Sequence, residues 1–303
     1  MDLFEAIKWV IISSVAAGFA VFAARQLLSR RPLSGWLKAF LLVAVCGGLA
    51  VVDMYLIEPN WIAVEKVVIH NRRLSDIVGD TKVVQISDLH VPDRPGFREE
   101  SLIRRVNRLQ PDLIVITGDF VSDTNGKRPA IDVTRRMVAT LGKFGVPGNN
   151  DTHRFKPGEM RKSFPAAGVD ILVNENRRIR LRNGKVLNLA GVNDPVTGQA
   201  RIDLAMAGVP AGEPVIMLAH SPSLLSVAAD KGVDLLLAGH THGGQVGWNY
   251  LVRSFKGADP VLTMRGLYRE KQTLLYVNRG IGTTTKPLRF FCRPEITVFE
   301  FKQ

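Results

Sequence analysis

The sequence predicts an α/β protein, a pair of mixed sheets covered by helices and preceded by an N-terminal transmembrane helical segment. Three observations carry that prediction. Two apolar stretches, 9–24 and 39–52, lie near the start of the chain. Beyond residue 80, short apolar runs alternate with segments of helical periodicity. Several of those runs end in Asp, Asn or His, at the strand ends where α/β sheets place their sites.

The second apolar stretch, taken with its flanks, runs from Leu37 to Ile57 and carries only Lys38 and Asp53 as charges. At about 1.5 Å per residue it can cross a hydrocarbon layer of about 30 Å. The first stretch, bounded by Lys8 and Arg25, is shorter and contains Ser13, Ser14 and Gly18. A buried core helix or a signal-peptide core is the alternative reading of either. Residues 1–65 are therefore expected to be a membrane anchor of one or two transmembrane helices, and 66–303 the main domain. The loop between the two stretches holds Arg25, Arg30, Arg31 and Lys38 and no acid. By the positive-inside rule that loop stays in the cytoplasm and the main domain is exported, with Trp61 suited to an interfacial anchor or to a core. Ser29-Arg30-Arg31 resembles a twin-arginine signal, which points the same way.

Charge is unevenly placed. The chain has 40 Lys and Arg against 28 Asp and Glu. In residues 1–65 five basic side chains (Lys8, Arg25, Arg30, Arg31, Lys38) cancel five acidic ones, so the main domain carries the whole net +12. A domain of that charge is drawn to anionic lipid or to phosphorylated substrates. No zinc finger, paired RNA-binding aromatics or basic zipper accompanies it, and nucleic acid is not an expected partner. Cys46 and Cys292 are the only cysteines, which excludes a disulfide framework and thiolate zinc sites.

In the main domain, residues 81–87 read as a strand and 98–109 as a helix with Leu102, Ile103, Val106 and Leu109 on one face. Residues 113–117 form a buried strand, and 129–141 a helix with Pro129 near its first turn. Further strands are expected at 170–173, 178–182 and 185–190, the last two joined by Asn183-Gly184, a strong hairpin signal. A strand at 215–219, a helix near 223–229, and strands at 234–238, 274–278 and 295–301 complete the pattern.

The strand ends carry Asp88-Leu-His90, Gly118-Asp119, Gly148-Asn149-Asn150-Asp151, His220, and Gly239-His240-Thr-His242. Taken singly, each fits a turn, a surface histidine or a satisfied core histidine. Four of only six histidines falling at these ends is harder to explain that way. Two carboxylates, one carboxamide and four imidazoles make a mixed nitrogen and oxygen set suited to zinc, manganese or iron. Seven such groups, with one carboxylate shared, supply four protein ligands to each of two metals.

The order of these motifs resembles the calcineurin-like metallophosphoesterases over roughly residues 80–303. Ile86-Ser-Asp-Leu-His90, His240-Thr-His-Gly-Gly-Gln245 and the tail Pro287-Leu-Arg-Phe-Phe-Cys-Arg-Pro-Glu295 narrow the likeness. They resemble a membrane-anchored branch containing UDP-2,3-diacylglucosamine pyrophosphatases and cell-envelope phosphodiesterases. The resemblance implies a four-layer αββα sandwich of two mixed sheets and two divalent ions, manganese, zinc or iron. It assigns Asp88, His90 and His242 to one ion, Asn149, His220 and His240 to the other, and Asp119 to both. It implies hydrolysis of a phosphodiester or pyrophosphate by a hydroxide bridging the metals, on a lipid-linked substrate at the inner membrane. An exported phosphodiesterase acting on envelope polymers or nucleotides is the alternative.

Asn150 and Asp151 are the candidate catalytic residues. Members of the resembled family usually carry histidine where this chain has Asn150. An amide has no proton to give near pH 7 but can donate a hydrogen bond to a phosphoryl oxygen. That favours a leaving group needing no protonation, as in a pyrophosphate or activated diester. His153, three residues on, is the alternative acid.

Overall fold

The computed structural model describes residue 18 and residues 34–247, 264–284 and 286–303. Apart from Gly18, the first apolar stretch lies outside the described residues, as does most of the basic loop that follows it. Helix α1 (Gly35–Val52) covers the second stretch. It continues through a π-type turn at Asp53–Ile57 and a 3-10 turn at Glu58–Asn60. The whole run, Gly35–Asn60, is 26 residues, and its most apolar 18-residue window has mean hydropathy 2.3 with no residue buried. By length and composition it can cross a membrane.

The chain divides into two units at Val52 and Asp53. The second begins the first sheet at once, with β1 (Ala63–His70) followed by α2 (Arg72–Val78). Strand β1 runs through the expected domain boundary at residue 65. Next come β2 (Val83–Ile86), α3 (Phe97–Leu109), β3 (Leu113–Thr117), α4 (Lys127–Arg135) and β4 (Gly142–Val146). Two short helices, α5 (Asn149–Arg154) and α6 (Glu159–Ser163), lead to β5 (Val169–Ile171). The second sheet is built from β6 (Glu175–Arg180), β7 (Val186–Gly191), β8 (Val215–Leu218), β9 (Leu235–Ala238), β10 (Gly266–Glu270) and β11 (Thr273–Val277). Helices α7 (Ile202–Ala205) and α8 (Leu225–Asp230) fall between its strands, and β12 (Glu295–Lys302) returns to the first sheet.

The sheets are β1-β12-β2-β3-β4-β5 and β10-β11-β9-β8-β7-β6. Strands β2 to β5 are parallel, as are β7, β8, β9 and β11, whereas β12 is antiparallel to β2 and β6 to β7. Period-two alternation sends side chains to both faces. Val83, Leu113, Val115 and Val146 of the first sheet meet Leu189, Ile216, Leu218, Leu235 and Leu237 of the second in one central core. The opposite faces pack on helices: Val84, Ile86 and Ile114 against Leu102, Val106 and Val133, and Met217 and Leu236 against Ile202 and Ala228. The result is the expected α/β/β/α layering.

Sequence and structure differ in places. The helix expected to reach Leu141 ends at Arg135. The carbonyls of Thr134, in its last turn, and of Met137, just past it, accept from the Lys143 ammonium of β4, a partner outside the helical pattern. The hairpin strands begin earlier and later than expected, at Glu175 and Val186, because Leu181 and Lys185 close the Asn183-Gly184 turn by a backbone bond. Strands β1 and β10 were not anticipated. Both are edge strands, half exposed along much of their length, and lack a continuous apolar run.

Candidate metal centre

Each expected ligand follows a strand of the inner pair of sheets. β2 delivers Asp88 and His90, β3 Asp119, and β4 Asn149; from the other sheet β8 delivers His220 and β9 His240 and His242. Five of these seven leave their strands in the left-handed backbone region: Asp88 (φ 48°), His90 (43°), Asp119 (52°), His240 (72°) and His242 (50°). Side-chain-bearing residues there cost about 1–3 kcal/mol each, and such conformations gather at functional sites. The backbone is also packed tightly enough to require glycine. A Cβ on Gly118, at φ +88°, would lie 2.6 Å from His220 Nδ1. A Cβ on Gly239 would overlap Ser87 Oγ and Asp88 Oδ2.

The seven side chains converge. Asp88, His90 and His242 form one group whose ligand atoms all lie within 4.8 Å of each other, and Asp88, Asp119 and His220 form a second. Asp88 thus lies within reach of both groups. His90 Nε2 lies 3.2 Å from His242 Nε2 and 3.4 Å from Asp119 Oδ2, and His242 Nε2 lies 3.3 Å from Asp88 Oδ1. In the other half, His220 Nε2 is 3.0 Å from Asn149 Oδ1, 3.1 Å from His240 Nδ1 and 3.5 Å from Asp119 Oδ2. Asp88, His90, Asp119, His220 and His242 are all buried.

This donor set fits divalent cations. His220 Nδ1 donates to the Thr117 carbonyl at 2.8 Å, which fixes the tautomer and turns the Nε2 lone pair inward. Two pairs of imidazole nitrogens face each other at 3.1–3.2 Å, and a cation placed between such rings would accept both lone pairs. The electrostatics of the cluster point to the same demand for positive charge. Burial would raise Asp88, but the charges of His242, His220 and His90 hold its carboxyl well below the usual range. Burial opposes charging of His220 as well, yet Asp119 outweighs it and lifts the imidazole to about 10. His90 moves the other way, to about 4, through burial and its neighbour His242. Burial and His220 likewise lower His240.

Asn150 sits at the rim, its backbone N–H donating to Asp119 Oδ1 at 2.8 Å and its side-chain Nδ2 to Asp119 Oδ2 at 2.6 Å. Asp151 is fully buried and spends its oxygens on backbone donors: Gly148 N and Phe120 N at 3.0 Å, and Val121 N at 3.4 Å. It braces the turn that carries Asn149 and the segment after Asp119. Burial, then Asp119, pushes its carboxyl up to about 7. His153 is exposed and has no hydrogen-bond partner among the described residues.

Several residues serving the site have no role assigned by the sequence. Ser87 Oγ donates to Asp88 Oδ2 at 2.6 Å. The buried Arg289 guanidinium grips the carbonyls of Arg279 (2.9 Å), Gly280 (3.1 Å), Gly282 (2.6 Å) and Cys292 (3.0 Å). The peptide it holds lies over the Asp88 segment, with Ile281 N bonded to Ser87 O at 2.9 Å and Gly282 N to Asp88 O at 2.7 Å. Glu58 accepts the N–H groups of Phe291 and Cys292, and Cys292 Sγ reaches His242 O at 3.2 Å. Ser87, Arg289 and Cys292 fall in motifs that carry the family resemblance, yet residue type alone assigns them no role, and apart from Ser87 their partners are backbone atoms.

The family model for calcineurin-like phosphoesterases matches residues 81–244, which holds every one of the seven ligand positions. The chain belongs to that family. As a calcineurin-like phosphoesterase it is a metal-dependent phosphoester hydrolase. It is 29% identical over 282 residues to the uncharacterized metallophosphoesterase YkuE of Bacillus subtilis, covering 92% of this chain and 99% of YkuE. It is 30% identical over 258 residues to the phosphodiesterase YaeI of Escherichia coli, covering 82% of this chain and 91% of YaeI. A zebrafish transmembrane protein with a metallophosphoesterase domain is 29% identical over 245 residues, covering 76% of this chain and 55% of that protein.

Proposed function

We propose that this phosphoesterase is membrane-anchored and uses two divalent ions to hydrolyse a phosphodiester or pyrophosphate bond in a lipid-linked substrate such as UDP-2,3-diacylglucosamine. The observation that carries the chemistry is the convergence of Asp88, His90, Asp119, Asn149, His220, His240 and His242 from two sheets. Two cations held there supply charge neutralisation for the phosphoryl oxygens and a water acidified towards neutral pH. The chain's residues do the rest. Asp119, with two oxygens, is the shared carboxylate, and Asn149 offers a neutral oxygen. His220 is kept in one tautomer by Thr117. Asn150 donates from the rim to the phosphoryl group and gives no proton, so an activated leaving group is favoured. Asp151 is a positioning residue rather than a proton-transfer group.

The membrane half of the reading rests on the surface around the end of the apolar helix. Leu56, Ile57, Trp61 and Phe291 are exposed there, at 54%, 49%, 54% and 63%. The Arg293 guanidinium lies 3.9 Å above the Trp61 ring. The rings of Phe290 and Phe291 lie with centroids 4.4 Å apart and planes tilted by 60°. Aromatic and basic side chains in this combination suit the headgroup layer, where a ring is half wet and a guanidinium meets lipid phosphate. Their backbone reaches the metal loop, with Phe290 N bonded to Gln245 O at 3.1 Å, three residues after His242. That arrangement supports a reading in which an amphiphile's phosphate reaches the cluster.

The second reading, an exported phosphodiesterase for envelope polymers or nucleotides, is favoured by the basic loop ahead of the helix. One comparison separates the two. Manganese-loaded protein in detergent is offered UDP-2,3-diacylglucosamine, UDP-N-acetylglucosamine and bis-p-nitrophenyl phosphate, with Asp119→Ala as control. Preference for the acylated sugar supports the first reading. Equal turnover of the acyl-free nucleotide selects the second, and turnover that survives Asp119→Ala overturns both.

A further inference from the structure

The Asn150 side chain is held between an acid and a base. Its Nδ2 donates to Asp119 Oδ2 at 2.6 Å, and its Oδ1 accepts from Arg154 Nη1 at 2.8 Å. A guanidinium only donates and a carboxylate only accepts, so the orientation of the amide is fixed, with its NH2 towards the metal cluster. Arg154 stands four residues on, one turn along α5, and the same Nη1 reaches the Asn150 carbonyl at 3.2 Å. Arginines nearby are neutralised: Arg161 pairs with Glu175, and Arg177 with Asp170. Among the described residues Arg154 pairs with no carboxylate, and its half-buried charge faces the amide.

We propose that Arg154 is a positioning residue that locks and polarises the Asn150 amide for donation to a phosphoryl oxygen. This rests on the phosphoesterase reading given above. A hydrogen bond from a cation to the amide oxygen draws electron density from the nitrogen and makes its N–H groups stronger donors. Asp119 accepts that NH2 now. Once Asp119 commits its oxygens to cations, the NH2 needs another acceptor, and the phosphoryl oxygen of a bound ester fills the role. No covalent bond forms or breaks at Asn150 and no proton leaves it. The pair delivers through an amide the positive charge that an imidazolium would supply directly. It stabilises charge on the phosphoryl group and leaves the departing oxygen unprotonated.

The test is a double-mutant cycle on the full, manganese-loaded chain, with bis-p-nitrophenyl phosphate as substrate and metal content and melting temperature as controls. Asn150→Ala is expected to lower kcat by about 100-fold, the cost of losing one donor to developing charge. Arg154→Ala is expected to lower it by about tenfold in the native background and by less than about twofold once Asn150 is alanine, since the two then act as one unit. In Asn150→His, which carries its own charge, Arg154→Ala is again expected to matter by less than about twofold. Additive losses overturn the proposal, as does an Arg154→Ala enzyme with native kcat. Should Arg154→Ala fold poorly, Arg154→Gln keeps a donor without the charge, and native turnover in that variant overturns the proposal equally. The same cycle is read in calorimetric binding of inorganic phosphate to the loaded protein. Absence of all diesterase activity in the native enzyme would therefore sink the functional reading, while uncoupled phosphate binding would sink this one.

Discussion

Arg289 offers the sharpest test of what holds the metal loops in place. Its side chain is wholly buried and, among the described residues, pairs with no acid; its donors go to four carbonyls instead. Gly280 O keeps a second donor, Glu295 N at 3.1 Å, after Arg289→Met. The carbonyls of Arg279, Gly282 and Cys292 lose the donor that Arg289 gives them. At about 1–3 kcal/mol for each buried group left unsatisfied, the gross loss is roughly 3–9 kcal/mol. Removing a desolvated charge returns part of that, leaving a net loss of about 3–5 kcal/mol. Against a total stability of about 5–15 kcal/mol this is severe, and in a domain of this size it lowers Tm by roughly 6–20 °C. The assay is denaturant and thermal unfolding of chelated protein, so that metal binding does not mask the loss. Metal titration should then show the Asp88, His90 and His242 group weakened first, because Gly282 N is bonded to Asp88 O. A stability change below about 1 kcal/mol would refute the reasoning, since it would mean that those carbonyls are served by other donors or by water.

Gly239→Ala places a methyl group on Ser87 Oγ and Asp88 Oδ2. Overpacking of this kind costs about 1–3 kcal/mol, and metal content measured by plasma emission should drop with it; a fully loaded, active variant would show that the loop can move aside. Chelation should lower Tm by an amount that depends on pH. In the cation-free protein His220 titrates at about 10 instead of 6.5. Its charge therefore contributes stability that is complete below about pH 6.5 and lost as pH rises through about 10. Bound cations replace that charge, so the Tm gap between loaded and chelated protein should widen from pH 7 to pH 10, and a constant gap would contradict the assignment. Lys143→Met should cost about 1–3 kcal/mol in urea unfolding by freeing the Met137 carbonyl just past α4, while Thr134 O keeps the Met137 N–H, with catalysis per folded molecule unchanged.

What could be read from the sequence follows a physical division. Metal chemistry demands particular side chains, so Asp88, His90, Asp119, His220, His240 and His242 announce themselves by type and by their place after apolar runs. Buried parallel strands such as β3, five buried residues in a row, are equally visible. Edge strands are not: β1 alternates buried and exposed positions beside an apolar anchor that dominates its surroundings. Nor is a residue whose partners are backbone atoms far along the chain. Glu58 accepts from Phe291, 233 residues away, and nothing about a glutamate near a membrane helix foretells it. Asp151 shows the converse, a carboxylate in a motif read as catalytic whose oxygens accept from three peptide N–H groups. Arg154 was within reach, since an arginine one helical turn after a rim residue is a local pattern.

The division of ligands between two sheets ties metal binding to the central core. Asp88, His90, Asp119 and Asn149 leave the first sheet, and His220, His240 and His242 the second. Neither sheet alone assembles a complete group, so the cations read out whether the layers are packed in register. Polar ties across the same seam argue that register is under strict control. Gln85 Nε2, from β2, donates to Ala238 O of β9 at 2.9 Å, and His220 Nδ1 crosses back to Thr117 O of β3. Both bonds are buried, where a slip of one residue would leave donor and acceptor unpaired. A backbone bent into left-handed turns at five ligand positions needs that support. The strain is held by the packing of two sheets, and bound cations, by drawing the seven side chains together, stabilise the same packing that creates their site.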